Sequence, residues 1–167
     1  MNLPRIVKQV RAALFWPVAI ISFVRAFPAR RTRVRALRRL GYWPRLGLSY
    51  NKLKKNANTS VVLLLDQIDG VGSVSRREAK WRTSGLFDLP LPELGRLTRY
   101  HYFIVIRDPY SRVLSAFLDK FRHHEFRKRY GAFALDPDGF DAFLAWLKAG
   151  GLNKDPHWDL QTKLMVW

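Results

Sequence analysis

Lys55 to Ser60 (KNANTS) place a lysine, two hydroxyls and a run of backbone amides in six consecutive positions. Amides, hydroxyls and a cation at the start of a helix are the ingredients of a phosphate cradle. The lysine stands four and five residues before Thr59 and Ser60 rather than beside them, so an ATP-binding Walker loop is not expected. Farther along, Arg107 closes an apolar run with an always-charged fork suited to a bidentate phosphate contact. Ser115 lies two turns into the helix that should follow, on a face shared with Arg112 and Asp119. His157 is the best candidate to take a proton near neutral pH. Each feature has a plain alternative. An arginine-aspartate turn is usually a surface ion pair, and His157 with Trp158 can be packing. His101 reads as core, while His123 and His124 read as basic surface or as the wall of a groove for an anionic acceptor.

The elements that must hold these residues are legible from periodicity. Leu46 to Leu53 alternates as a strand does, and Lys55 to Ser60 follows it directly. Val61 to Leu65 has strand-like composition, which leaves a hairpin open beside a loop leading into a helix. Tyr100 to Ile106 (YHYFIVI) reads as a buried parallel strand, rich in aromatic and β-branched residues and without formal charge. Asp108 can cap and Pro109 can begin a helix whose apolar positions run Tyr110, Val113, Leu114, Phe117, Leu118, Phe121. Asp138 to Leu147 predicts a second amphipathic helix. Between Asp69 and Leu94 the sequence reads as loops with one short helix over Arg76 to Trp81. Two strand-to-helix junctions of this kind are where open α/β sheets bind ligands.

Composition bounds the rest. With 48% hydrophobic residues, 167 residues suffice for one sizeable core. No cysteine is present and the four histidines lack ligand spacing, so neither a disulfide framework nor a structural metal is expected. The net charge of +17 is uneven: Met1 to Leu65 holds fourteen Lys/Arg and no acid, whereas the remainder holds sixteen bases against thirteen acids. Such a field attracts polyanions in general, whether nucleic acid, anionic lipid, acidic glycan or phosphorylated cofactor. The apolar run Ala12 to Val24 is short for a bilayer and is interrupted by Pro17. Arginines on both sides favour interfacial association through residues 12–39 or a plain packed helix, and they disfavour export. A cytoplasmic or membrane-associated location is therefore expected ahead of the secretory lumen. Arg30 to Arg39 (RRTRVRALRR) reads as a solvated basic helix, and Gly41, Pro44 and Gly47 mark the domain start, giving a basic segment over 1–40 and a domain over 41–167.

Taken together and in order, three stretches resemble a known family. KNANTS is similar to the K-x-A-x-T-S loop that grips the 5′-phosphosulfate in sulfotransferases using 3′-phosphoadenosine 5′-phosphosulfate. Ile106 to Phe121 (IRDPYSRVLSAFLDKF) resembles the R-D-P-x-x-R-x-x-S-x-x-x-D-K-F block that holds the 3′-phosphate. Pro156 to Gln161 (PHWDLQ) is similar to the H-W-x-x-Q element of the carbohydrate branch, of the sulfotransferase family 2 type. The resemblance spans about Leu48 to Gln161. Lys54 replaces the usual proline and Asn58 the usual glycine, and asparagine tolerates a left-handed backbone. Members usually continue beyond the last element with another strand, so a C-terminally truncated copy is expected.

The resemblance implies an α/β, P-loop NTPase-like parallel sheet flanked by helices. It implies that Lys55 assists departure of the 5′-phosphate, that Asn56, Ala57, Asn58, Thr59 and Ser60 cradle that phosphate, and that Arg107 and Ser115 bind the 3′-phosphate. His157 is the candidate acceptor base, the acceptor is a carbohydrate hydroxyl on a glycan of anionic character, and no metal is needed. Nucleic acid is not the expected partner. The rivals are a nucleotide-dependent phosphotransferase, disfavoured by the Walker spacing, a basic membrane- or nucleic-acid-binding module, and an inactive fragment.

Overall fold

The structure, a computed structural model, describes residues 20–70 and 83–166 together with Pro17, Ser75 and Glu78. Two compact units divide the chain: residues 1–52, 58–104 and 165–167 form one, and residues 53–57 with 105–164 form the other.

The first unit is built on a three-stranded sheet in the order β1 (Leu40–Trp43), β2 (Leu48–Asn51), β3 (His101–Ile104). β1 and β2 run antiparallel, with Leu40 opposite Asn51 and Trp43 opposite Leu48. Their connection, Pro44–Leu46 closed by Gly47 at φ 62°, is too short for any other pairing. β2 and β3 pair in parallel, Leu48 with His101 and Asn51 with Ile104. The sheet is thus mixed, and the expectation of a parallel sheet holds for one pair alone. The crossover between those strands contains α2 (Asn58–Ile68) and begins a long connection, as parallel pairing requires. Val61 to Leu65, strand-like in composition, lies inside α2, where Val62, Leu65 and Asp66 fall on one buried face and Leu64 is left exposed. Asp66 accepts a hydrogen bond from the buried Trp43 indole at 2.8 Å.

Residues 20–26 are helical and α1 (Arg30–Arg39) follows, buried only at Ala36. Phe23, Phe27, Ala36, Leu40, Tyr42, Leu97 and Tyr100 belong to one core cluster, with Tyr42 edge-on to Tyr100 at 5.6 Å. β3 departs from expectation: it is four residues long and only partly buried, and His101 is exposed instead of lying in the core. Among the described residues β3 is an edge strand, which explains its half-covered faces. The short helix expected over Arg76 to Trp81 falls, apart from Glu78, outside the described residues, as does most of the apolar run from Ala12. Among the described residues no helix is long and apolar enough to cross a membrane.

The second unit is helical: α3 (Pro109–Lys120), α4 (His124–Tyr130), α5 (Pro137–Lys148) and α6 (Gln161–Leu164). α3 and α5 begin alike. Asp108 accepts from the Ser111 amide at 2.8 Å and Asp136 from the Gly139 amide at 2.7 Å, each with proline at the first helical position. The core is aromatic, with Phe117, Phe121, Phe143 and Trp158 essentially inaccessible. The Trp158 indole donates to Gly151 O at 3.0 Å, so this ring is packed on all sides and hydrogen-bonded as well.

Candidate active site

Leu53, fully buried, anchors the segment that follows β2. Beyond it Lys55 (φ 65°) and Ala57 (φ 54°) both adopt the left-handed conformation. Non-glycine residues pay for that geometry, about 1 kcal/mol or more each, and such strain concentrates where a loop must present its backbone in one way. Left-handed residues alternating with others turn successive amides toward one side, which is how a backbone makes an anion-binding concavity. Between the two strained positions Asn56 is turned inward. Its Nδ2 donates to Val105 O at 2.8 Å and to Gln161 Oε1, so the Asn56 side chain fixes the loop and leaves only its backbone to face a ligand.

Gln161 completes the tie. Its Nε2 donates to Arg107 O at 2.7 Å and its Oε1 accepts from the Arg107 amide at 3.2 Å. The Arg107 guanidinium in turn donates to Lys55 O at 3.3 Å. Arg112 adds a second clamp from α3. It is 2% exposed, and its guanidinium donates to Lys54 O (3.0 Å), Asp159 O (2.7 Å) and Pro156 O (2.9 Å). One buried fork therefore holds the lysine loop and the segment around His157 to the same helix.

Lys55 is drawn inward and its ammonium pairs with the Asp119 carboxylate, which also meets Lys120 at 3.2 Å. Burial lowers the Lys55 pKa from its ordinary range, against the opposing pull of Asp119. Burial would raise Asp119, yet the two lysines outweigh it and hold that carboxyl at about 2. Arg107, Ser115 and Asp119, with Ser111, Leu114, Leu118 and Arg122, line one open cleft of about 460 Å³. The donor set of Arg107, Arg122 and two serine hydroxyls fits an anionic phosphate ligand, with Asp119, itself paired to Lys55, the one opposing charge in it.

His157 sits apart from that lining. Its Nδ1 is paired with Asp155 Oδ1, its amide donates to the same oxygen at 2.9 Å, and the Tyr130 hydroxyl donates to Asp155 Oδ2 at 3.1 Å. Burial lowers the His157 pKa, with Asp155 pulling the other way. A ring held through Nδ1 by a carboxylate presents Nε2 as the free, basic nitrogen.

A family model described as the sulfotransferase family matches residues 40–164. The chain belongs to the sulfotransferase family. No curated protein and no solved structure matches it. Sulfuryl transfer is the chemistry of that family, and the matched residues include the lysine loop, the Arg107–Phe121 block and His157.

In this sulfotransferase the second unit brings together Lys55, Asn56, Ala57, Arg107 and Ser115, while His157 lies in the same unit outside the cleft lining. Asn58, Thr59 and Ser60 form the first turn of α2 in the first unit, Thr59 half-buried and Ser60 exposed. The neighbouring Lys54 is exposed, so Lys55 is the lysine turned inward. Arg112 does not share an open face with Ser115, as its spacing suggests, but is buried among carbonyls. Two residues carry more of the site than their sequence positions announce. Arg112 and Gln161 hold the loops by contacts 58 and 54 residues away in sequence, which no local pattern reports.

Proposed function

We propose that this sulfotransferase transfers the sulfuryl group of 3′-phosphoadenosine 5′-phosphosulfate to a hydroxyl of a carbohydrate acceptor. The observation that carries the reading is the fastening of the Lys55 loop to the Arg107 turn, through Arg107 to Lys55 O and through Gln161 to both. Those are the two blocks that would hold the two ends of a 3′,5′-substituted nucleotide. On this reading the fold is P-loop NTPase-like, with β2, the lysine loop and α2 as its strand, cradle and helix.

Lys55 aims a cation at the bridging oxygen, where negative charge grows as the sulfur–oxygen bond to the 5′-phosphate breaks. The amides of Lys55, Asn56 and Ala57 hold that phosphate, and Arg107 and Ser115 hold the 3′-phosphate. His157 Nε2 takes the proton of the acceptor hydroxyl as the new oxygen–sulfur bond forms, leaving sulfated carbohydrate and 3′,5′-bisphosphate. His157 is paired with Asp155, and burial lowers its pKa, which favours the neutral form a base requires. The exposed basic residues of α4, Arg127, Lys128 and Arg129, favour an acceptor that is itself anionic.

Transfer of labelled sulfate from the nucleotide to a panel of desulfated glycans tests the reading. The chain should label at least one of them, and Lys55→Ala should reduce kcat by about 100-fold or more, the scale of losing one group that stabilises transition-state charge. Equal labelling by Lys55→Ala and the parent chain would remove Lys55 from the chemistry.

A further inference from the structure

A second feature, wholly within the first unit, serves no step of sulfuryl transfer. The helical residues 20–26 and α1 form the walls of a groove of about 280 Å³. Ile20 and Val24 face it from one side and Val34 and Leu37 from the other, and all four are exposed, at 39–46% of their surface. A groove that leaves four aliphatic side chains in water is an incomplete core or a binding surface. Arg30 and Arg33 also line it, so the apolar channel is edged by guanidinium groups.

The charge around the groove chooses the occupant. No carboxylate lines it, and none occurs in the chain before Asp66. Arg25, Arg31 and Arg38 stand exposed on the same two helices. A protein partner would need a long acidic and apolar segment to match this surface, whereas an anionic bilayer supplies both chemistries at once. Arginines keep their heads at the phosphate level while neighbouring aliphatic side chains enter the acyl boundary. The geometry points to this face as a docking surface for anionic lipid, with headgroup phosphates on Arg30 and Arg33 and acyl carbon in the groove. Residues 20–39 would thereby hold the chain at a membrane surface without spanning it.

Co-sedimentation of the full chain with vesicles tests this. Phosphatidylcholine vesicles containing phosphatidylserine should bind it, and phosphatidylcholine alone should bind it weakly. Arg30→Gln with Arg33→Gln should weaken binding about 25-fold, about fivefold for each charge removed near an anionic surface. Val34→Ser with Leu37→Ser should weaken it by about tenfold or more, since each methylene withdrawn from the acyl boundary is worth about fourfold. Lys148→Gln, which removes one charge in the other unit, should leave binding unchanged. All variants alter exposed or half-buried side chains, and an unchanged melting temperature will show that they fold. The proposal is overturned by equal binding to both vesicle types, or by serine variants that bind as the parent does, which would mean headgroup attraction alone. Retention by an acidic peptide with no vesicle binding would overturn it too, and would assign the groove to a protein partner. None of these outcomes depends on the sulfotransferase reading.

Discussion

The Lys55 ammonium is paired with the Asp119 carboxylate, and Asp119 lines the same cleft as Arg107 and Ser115. An acid in a pocket whose other polar lining is cations and hydroxyls has two opposite effects. It holds the lysine in place and it repels an incoming phosphate. Asp119→Asn should therefore bind 3′,5′-bisphosphate about two- to fivefold more tightly, a modest gain because the carboxylate is nearly half exposed. The same variant should turn over more slowly, because Lys55 loses its orienting partner. Calorimetric titration beside initial rates separates the two effects, and weaker binding by the variant would show that Asp119 contributes to the ligand site itself.

Arg112 should matter to stability more than to charge. Its guanidinium satisfies three carbonyls in a buried setting, so Arg112→Met leaves Lys54 O, Pro156 O and Asp159 O without that donor. At about 1–3 kcal/mol for each buried group left unsatisfied, the loss should reach about 3 kcal/mol, read as a fall in the urea midpoint. Arg112→Lys should recover little of it, since an ammonium lacks the planar fork that reaches the three acceptors. Full recovery by lysine would mean that charge alone is required.

The pH dependence has a definite sign. His157 has its folded pKa below the ordinary 6.5, so the neutral ring needed for proton transfer persists as pH falls below 6.5. The acid limb of kcat should lie on the acid side of that value. Asp155 opposes the burial effect, so Asp155→Asn should move the limb to still lower pH while reducing the plateau rate. The same depression costs stability once the unfolded chain protonates, so folding should weaken as pH drops through 6.5 toward the folded value. Asp119, held at about 2 against an ordinary 3.8, adds a second loss that begins as pH falls below about 4. A rate profile whose acid limb stands above 6.5 would contradict the assignment of His157 as base.

What the sequence discloses divides along local and distant contacts. The start of α3 is legible to the residue because capping is local: Asp108 with Pro109 carries its own signal, whereas the amphipathic stretch Asp138 to Leu147 falls one residue short of α5 at each end. The lysine loop is legible as a candidate anion site, since KNANTS carries its donors in consecutive positions. The conformation that gives the loop its concavity is not legible, because nothing in Lys55 or Ala57 favours positive φ. β3 misleads because its aromatic composition reads as full burial, whereas its position at the sheet edge leaves it half covered. Arg112 misleads through helical spacing, which places it beside Ser115 and cannot report the carbonyls that approach from residues 54 and 156–159.

The central claim is that the Lys55 loop and the Arg107 block hold one nucleotide between them. Thermal unfolding of the full chain with 3′-phosphoadenosine 5′-phosphate, compared with ATP and magnesium, tests it most directly. A ligand present at 100 times its Kd stabilises the folded state by about 2.7 kcal/mol, enough for a clear rise in melting temperature. The bisphosphate should produce that rise, ATP with magnesium should produce little, and Lys55→Ala and Arg107→Ala should each reduce it. A folded chain whose melting temperature does not respond to the bisphosphate would contradict the account.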